Sequence, residues 1–162
     1  MASRVISMRP APSDPELATT LPGSWSIVAT NFPMWVDGGR TNPRFTYGLV
    51  SADPLVLTDV VSYVDAKGAA KTINGTDVSH GSGFVWRGKG LLRLLSSRWN
   101  VTGITGDGNV AAIRFSKSRL TPAGVDVIVR EGADYPDLRA KVARESADLG
   151  ITAEDFATLT WI

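Results

Sequence analysis

The 162-residue chain has no cysteine, a single histidine and a formal net charge of only +1. The lack of thiols excludes disulfides, thiolate nucleophiles and thiolate metal sites together. His80 alone cannot build a zinc site without several carboxylates, and the acidic residues do not cluster along the chain. No metal and no cofactor is therefore expected. Lysines and arginines are scattered, so no basic patch offers itself to nucleic acid, and membrane contact is not expected. A long apolar run is also missing near the start. Val5 and Ile6 are the only bulky aliphatics before Leu17, which is too little for a signal peptide, so a cytoplasmic location is expected. Asn74-Gly75-Thr76 and Asn100-Val101-Thr102 then read as chance matches to the glycosylation acceptor. His80-Gly81-Ser82-Gly83 sets a serine near a base, but without the G-x-S-x-G elbow or an orienting acid. No P-loop or dinucleotide fingerprint occurs.

What is present is alternation. Apolar residues alternate with polar ones over Trp25–Asn31, Arg44–Val50, Leu55–Val64, Ala70–Ser79, Gly83–Arg87, Arg98–Ile104, Val110–Ser116 and Val125–Arg130. Asp65-Ala66-Lys67-Gly68 and Thr105-Gly106-Asp107-Gly108-Asn109 suit hairpin turns, because glycine and asparagine tolerate positive φ. Short strands joined by hairpins predict an antiparallel meander, which buries its edges by closing into a barrel or packs as a sandwich. Residues 1–13, with Arg9-Pro10-Ala11-Pro12, read as a flexible tail, and residues 14–162 as one domain. Asp14 is placed as the N-cap of a helical turn reaching Leu21, with Pro15 first inside it. One longer helix is expected over Pro136–Leu149, capped by Asp134 and stopped by Gly150.

The order of four parts carries a resemblance. Gly23-Ser24-Trp25 opens the first strand, and Arg130 ends the strand Asp126-Val127-Ile128-Val129-Arg130. A helical stretch follows, then the short strand Thr158-Leu159-Thr160-Trp161-Ile162. In this the chain resembles the bacterial lipocalins of the calycin superfamily, without their signal peptide or lipidated cysteine. The resemblance implies an all-β fold: an eight-stranded antiparallel up-and-down barrel, one C-terminal helix packed outside it and a short final strand. It implies that Trp25 and Arg130 stack to seal the closed end, where the short N-terminal helix also lies. It further implies a calyx that holds a small hydrophobic molecule. One departure stands out: the Thr105–Asn109 turn, where the family carries a T-D-Y-like triplet, has no tyrosine.

Strand parity nominates the calyx wall. Ile27, Ala29 and Asn31 share a face with Trp25, and Phe45 and Tyr47 form the apolar face of the second strand together with Leu49. Phe84, Trp86, Trp99 and Phe115 are inward candidates further on. Met34 and Trp35 lie in the first-to-second connection, which belongs to the open end. So does the loop Gly88–Ser97, whose Leu91, Leu92, Leu94 and Leu95 form either a gate over the ligand or a cap tucked inward. Such walls suit a flat, possibly polycyclic ligand. Asp59 and Asp126 sit within apolar strands. Pointing inward, they would be carboxyls of raised pKa; pointing outward, they would pair with an arginine such as Arg114. Three functions stay open. The leading one is noncovalent capture of a small hydrophobic molecule. The second is a cofactor-independent cyclase or isomerase of an apolar biosynthetic intermediate, with Asp59 or Asp126 moving a proton. The third is a small interaction module that uses the leucine loop.

Overall fold

The computed structural model describes residues 9–118 and 122–162, so part of the expected tail, residues 1–8, lies outside the described residues. Helix α1 (Asp14–Thr20) is capped by Ser13, not Asp14: the serine side chain accepts from the Glu16 amide at 3.4 Å. Asp14 lies one position inside, where its Oδ2 accepts from Ser79 Oγ at 2.6 Å. After β1 (Gly23–Thr30) comes the short α2 (Pro33–Val36). There follow β2 (Thr41–Ala52), β3 (Leu55–Val64), β4 (Ala70–His80), β5 (Gly83–Gly88), β6 (Ser96–Ile104), β7 (Val110–Phe115) and β8 (Gly124–Arg130). Each pairs antiparallel with the next. β1 closes the ring by bonding β8 on one side and β2 on the other. The result is an eight-stranded antiparallel barrel; a sandwich is ruled out by the β1–β2 pairing.

The closed end is built as the resemblance implied. Trp25 and Arg130 are paired across β1 and β8, and the guanidinium lies 4.3 Å from the indole centroid. The same guanidinium donates to the carbonyls of Pro22 (3.2 Å) and Thr20. Trp25 Nε1 donates to Leu21 O at 2.9 Å, so helix, strand start and strand end are tied at one point. The tyrosine missing from the Thr105–Asn109 turn arrives from elsewhere in the chain. Tyr135 donates to Asp107 Oδ2 at 2.5 Å, while Thr105 Oγ1 donates to Oδ1 at 2.6 Å.

The expected single C-terminal helix is instead three short ones. Asp137, not Asp134, caps α3 (Leu138–Arg144), which breaks at Glu145 before α4 (Ser146–Leu149). Gly150, at φ 65°, ends it in the left-handed region. Thr152 and Asp155 then form a capping box that starts α5 (Ala153–Thr158). β9 (Thr160–Trp161) pairs with the end of β1. These helices cover a second core on the outside of the barrel, where Ala29, Val110, Ala112, Val125 and Val127 meet Val142, Leu149, Ile151 and Leu159. β8 is thus buried on both faces, so residues 124–129 are buried without a break. Helix α4 approaches β6 so closely that a Cβ on Gly103 would lie 2.0 Å from the Asp148 carbonyl oxygen.

Candidate functional site

The register of β1 decides which residues see the interior. A β-bulge between Ile27 and Ala29 reverses the alternation. Ala29 therefore joins the outer core, and Asn31 turns outward, donating to Thr158 Oγ1 at 3.0 Å and accepting from the Val125 amide at 2.7 Å. Both depart from the parity expectation. Thr30 moves inward instead: it is fully buried, and its Oγ1 donates to Asp126 Oδ1 at 2.5 Å. Leu49 also departs, standing 48% exposed beyond the barrel wall.

Inside the barrel, toward the mouth, lies a cavity of about 200 Å³. Met34, Trp35, Phe45, Tyr47, Trp86, Leu95, Trp99 and Phe115 all line it, as do Asp59 and Asp126. Ile27, Phe84 and Leu92, also nominated, do not. Phe84 stacks behind Trp99 at 4.6 Å between ring centroids, and Leu92 packs over Gly88. Phe32, from the same mouth connection as Met34 and Trp35, lines the cavity too. Sequence reasoning missed Val61, Ile73 and the serines Ser96, Ser97, Ser116 and Ser118, the serines being hidden by their polarity. The rings form a continuous wall: Phe45 stacks on Tyr47 (5.9 Å), Tyr47 on Trp99 (5.7 Å), and Phe32 tilts onto Phe115 (5.4 Å). Trp35, carried by α2, meets Tyr63 edge-on at 5.8 Å.

The leucine loop divides. A 3₁₀ turn over Gly90–Leu92 leaves Leu91 and Leu94 in solvent, 102% and 88% exposed. Leu92 and Leu95 turn in, and Leu95 alone of the four reaches the cavity.

The interior carries three buried carboxyls. Asp59 and Asp126 point inward, and Arg114 serves neither, pairing with Asp155 on the outside at 2.7 Å. The third, Asp77, is fully buried and was missed. Its strand runs Thr72-Ile73-Asn74-Gly75-Thr76-Asp77, with too little apolar alternation to betray its inner face. Asp77 Oδ1 accepts from Trp99 Nε1 at 2.9 Å. Asp59 lies across β3–β4 from Gly75, two residues from Asp77, and the two carboxyls are within hydrogen-bond reach. Burial lifts Asp59 to about 6, with the bond to Asp77 opposing. Burial, then the charge of Asp59, lifts Asp77 well above the carboxylate range. The pair therefore shares a proton. Burial lifts Asp126 to about 7 against the pull of Thr30 and, more weakly, Trp35. Tyr47 is raised by its own burial and then by the charges of Asp59, Asp77 and Asp126.

The proton shared by Asp59 and Asp77 apart, four buried side-chain polar atoms have no hydrogen-bond partner among the described residues: Asp59 Oδ1, Asp77 Oδ2, Asp126 Oδ2 and Trp86 Nε1. The Trp86 indole lies over Gly75, where a Cβ would come within 2.1 Å of Nε1, and Gly75 is paired with Asp59. All four orphaned atoms thus belong to the inner wall.

No family model matches this sequence, and neither does any curated protein. Solved structures do match. Lobster apocrustacyanin A1 superposes with a TM-score of 0.61 at 10% identity, covering 99% of this chain and 91% of that one. The bovine lipocalin allergen Bos d 2 gives 0.57 at 12% identity over 89% and 93% of the two chains. The siderocalin Ex-FABP gives 0.57 at 18% over 83% and 97%. At such identities the likeness is one of fold: the protein has the lipocalin fold.

Proposed function

We propose that the protein captures a small apolar molecule in the calyx, with a polar group of the ligand meeting the buried carboxyls. The observation that carries this reading is an aromatic-walled cavity whose wall holds unpartnered polar atoms, since buried polar groups in native proteins are as a rule satisfied. The volume narrows the ligand. A dry cavity of about 150 Å³ holds benzene, so about 200 Å³ suits one or two rings in place of a polycyclic system. Ex-FABP, of the same fold, is described as functioning through dual ligand specificities, which agrees with a binding role. Native mass spectrometry of the protein purified from its own host is expected to retain one compact ligand. Bare protein, together with no tryptophan quenching by any one- or two-ring probe, would mean that the barrel serves only as a packed core.

A second reading is favoured by one observation. Asp126 at about 7 and Asp59 at about 6 titrate where a proton donor or acceptor works best at neutral pH. If the retained compound is transformed on incubation, Asp126→Asn or Asp59→Asn should cut turnover by about 10²–10⁴-fold while binding persists. Turnover that survives both changes would remove the acid–base role.

A further inference from the structure

A buried carboxylate is normally held by a cation or several hydrogen bonds, because stripping it of water is otherwise too costly. The described residues supply this cavity with neither in full. Among the described residues no lysine, arginine or histidine lines it. Several cations are engaged elsewhere: Arg114 with Asp155, Lys141 with Asp107 and Glu145, Arg44 with Glu131, and Arg130 over Trp25. Yet Asp126 is fully buried, Asp59 is 5% exposed, and both face the cavity; Asp126 Oδ2 has no donor, and Asp59 has only the proton it shares with Asp77. The imbalance has a sign. Carboxyl oxygens predominate among the orphaned atoms, with one indole N–H beside them, so the wall asks chiefly for hydrogen-bond donors and positive charge.

The carboxyls alone set that sign. Tyr47 and Trp99 have their faces covered in the stack Phe45–Tyr47–Trp99–Phe84, so the rings supply apolar surface. An anion would meet repulsion from the carboxyls. A metal ion fits poorly, since among the described residues no three acidic or histidine side chains are arranged to hold one. An organic ammonium brings up to three N–H donors on a compact charge, while its hydrocarbon part fills the aromatic space.

We infer that the occupant is a protonated amine, one or two rings bearing a single ammonium group, seated beside Tyr47 between Asp126 and the Asp59–Asp77 pair. This rests on the calyx being a binding site, and names the chemistry it selects. The titratable groups that line the cavity are Tyr47 on β2, Asp59 on β3 and Asp126 on β8, with Asp77 on β4 reaching it through Asp59. The described linings from α2, β5, β6 and β7 bring no charge. Without ligand, the carboxyls are partly protonated near neutral pH; the ammonium binds their ionised form and displaces the proton.

The test uses matched probes on the whole protein, read by tryptophan quenching and calorimetry at pH 8. 2-Phenylethylamine is set against propylbenzene, which carries a methyl group in place of the ammonium, and tryptamine against 3-propylindole. The amine of at least one pair should bind about tenfold or more tighter than its neutral partner. Its affinity should fall by up to about tenfold per pH unit below about 6, while the neutral probe stays level. Asp126→Asn and Asp59→Asn should each erase most of the preference, with neutral-probe affinity kept as the check on folding. Neutral probes binding as tightly as amines in the wild-type protein would overturn the amine assignment and leave the calyx reading standing. If neither kind binds, the calyx reading falls with it.

Discussion

Asp126 shows what a single buried carboxyl does to the folded state. Its folded pKa of about 7 lies above the unfolded value near 3.8, so the native state holds the proton more tightly than the unfolded chain. The sign follows: the native state is favoured at low pH, and this contribution is lost as pH rises from about 4 to about 7. Asp126→Asn keeps the shape and an acceptor for Thr30 while removing the charge. The variant's stability relative to wild type should therefore climb between pH 4 and pH 8, by on the order of 4 kcal/mol. Urea titrations of both proteins across that range read it directly. A difference that does not change with pH would mean that the carboxylate is compensated in the native state. Asp59 and Asp77 push the same way, but they share a proton, so neither substitution alone removes the whole effect.

At the scale of elements, the two ends of the barrel do different work. The closed end is a structural knot. Arg130 covers Trp25 and donates to the carbonyls of Pro22 and Thr20, so Arg130→Ala loses a cation–π contact together with charged hydrogen bonds. The expected cost is about 3 kcal/mol, with ligand affinity unchanged at equal folded fraction. A thermal melt within a degree of wild type would contradict it. At the open end, the leucine loop separates into two functions. Leu91 and Leu94 touch solvent, so their change to serine should alter stability by less than about 0.5 kcal/mol. Leu95 lines the cavity, and Leu95→Ser should speed ligand release in stopped-flow quenching more than it lowers the melting temperature. Equal release rates in the wild-type and Leu95→Ser proteins would show that exit runs past another element, such as α2 with Met34 and Trp35.

For the whole molecule, what the sequence reveals depends on whether a rule is local. Strand alternation and turn glycines act locally, so the meander and its eight strands are legible, and the G-x-W opening and final arginine set its closure. The bulge at Val28 is not legible, because one extra residue leaves the local pattern apolar while turning Ala29 and Asn31 outward. Asp77 hides for the opposite reason: its strand is too polar to mark a face, and only the register with β3 brings it beside Asp59. From sequence the outer layer reads as one helix, because Leu138, Val142 and Leu149 keep helical spacing across the break at Glu145. That outer core has a consequence for the stability of the fold. β7 and β8 lie between the calyx side chains and the helices, with Ile113 and Ile128 on one side and Val110, Ala112, Val127 and Val129 on the other. β4, by contrast, presents Lys71, Thr72 and Ser79 to water or to partly buried surroundings. Opening β8 must expose both cores at once, whereas β4 and β5 expose only the calyx. Amide hydrogen exchange should accordingly be slowest along Val125–Val129, approaching the global unfolding free energy, and faster by an order of magnitude or more along β4 and β5. Exchange of β8 as fast as that of β4 would mean that the C-terminal helices detach without unfolding the barrel, and that the two cores are not one cooperative unit.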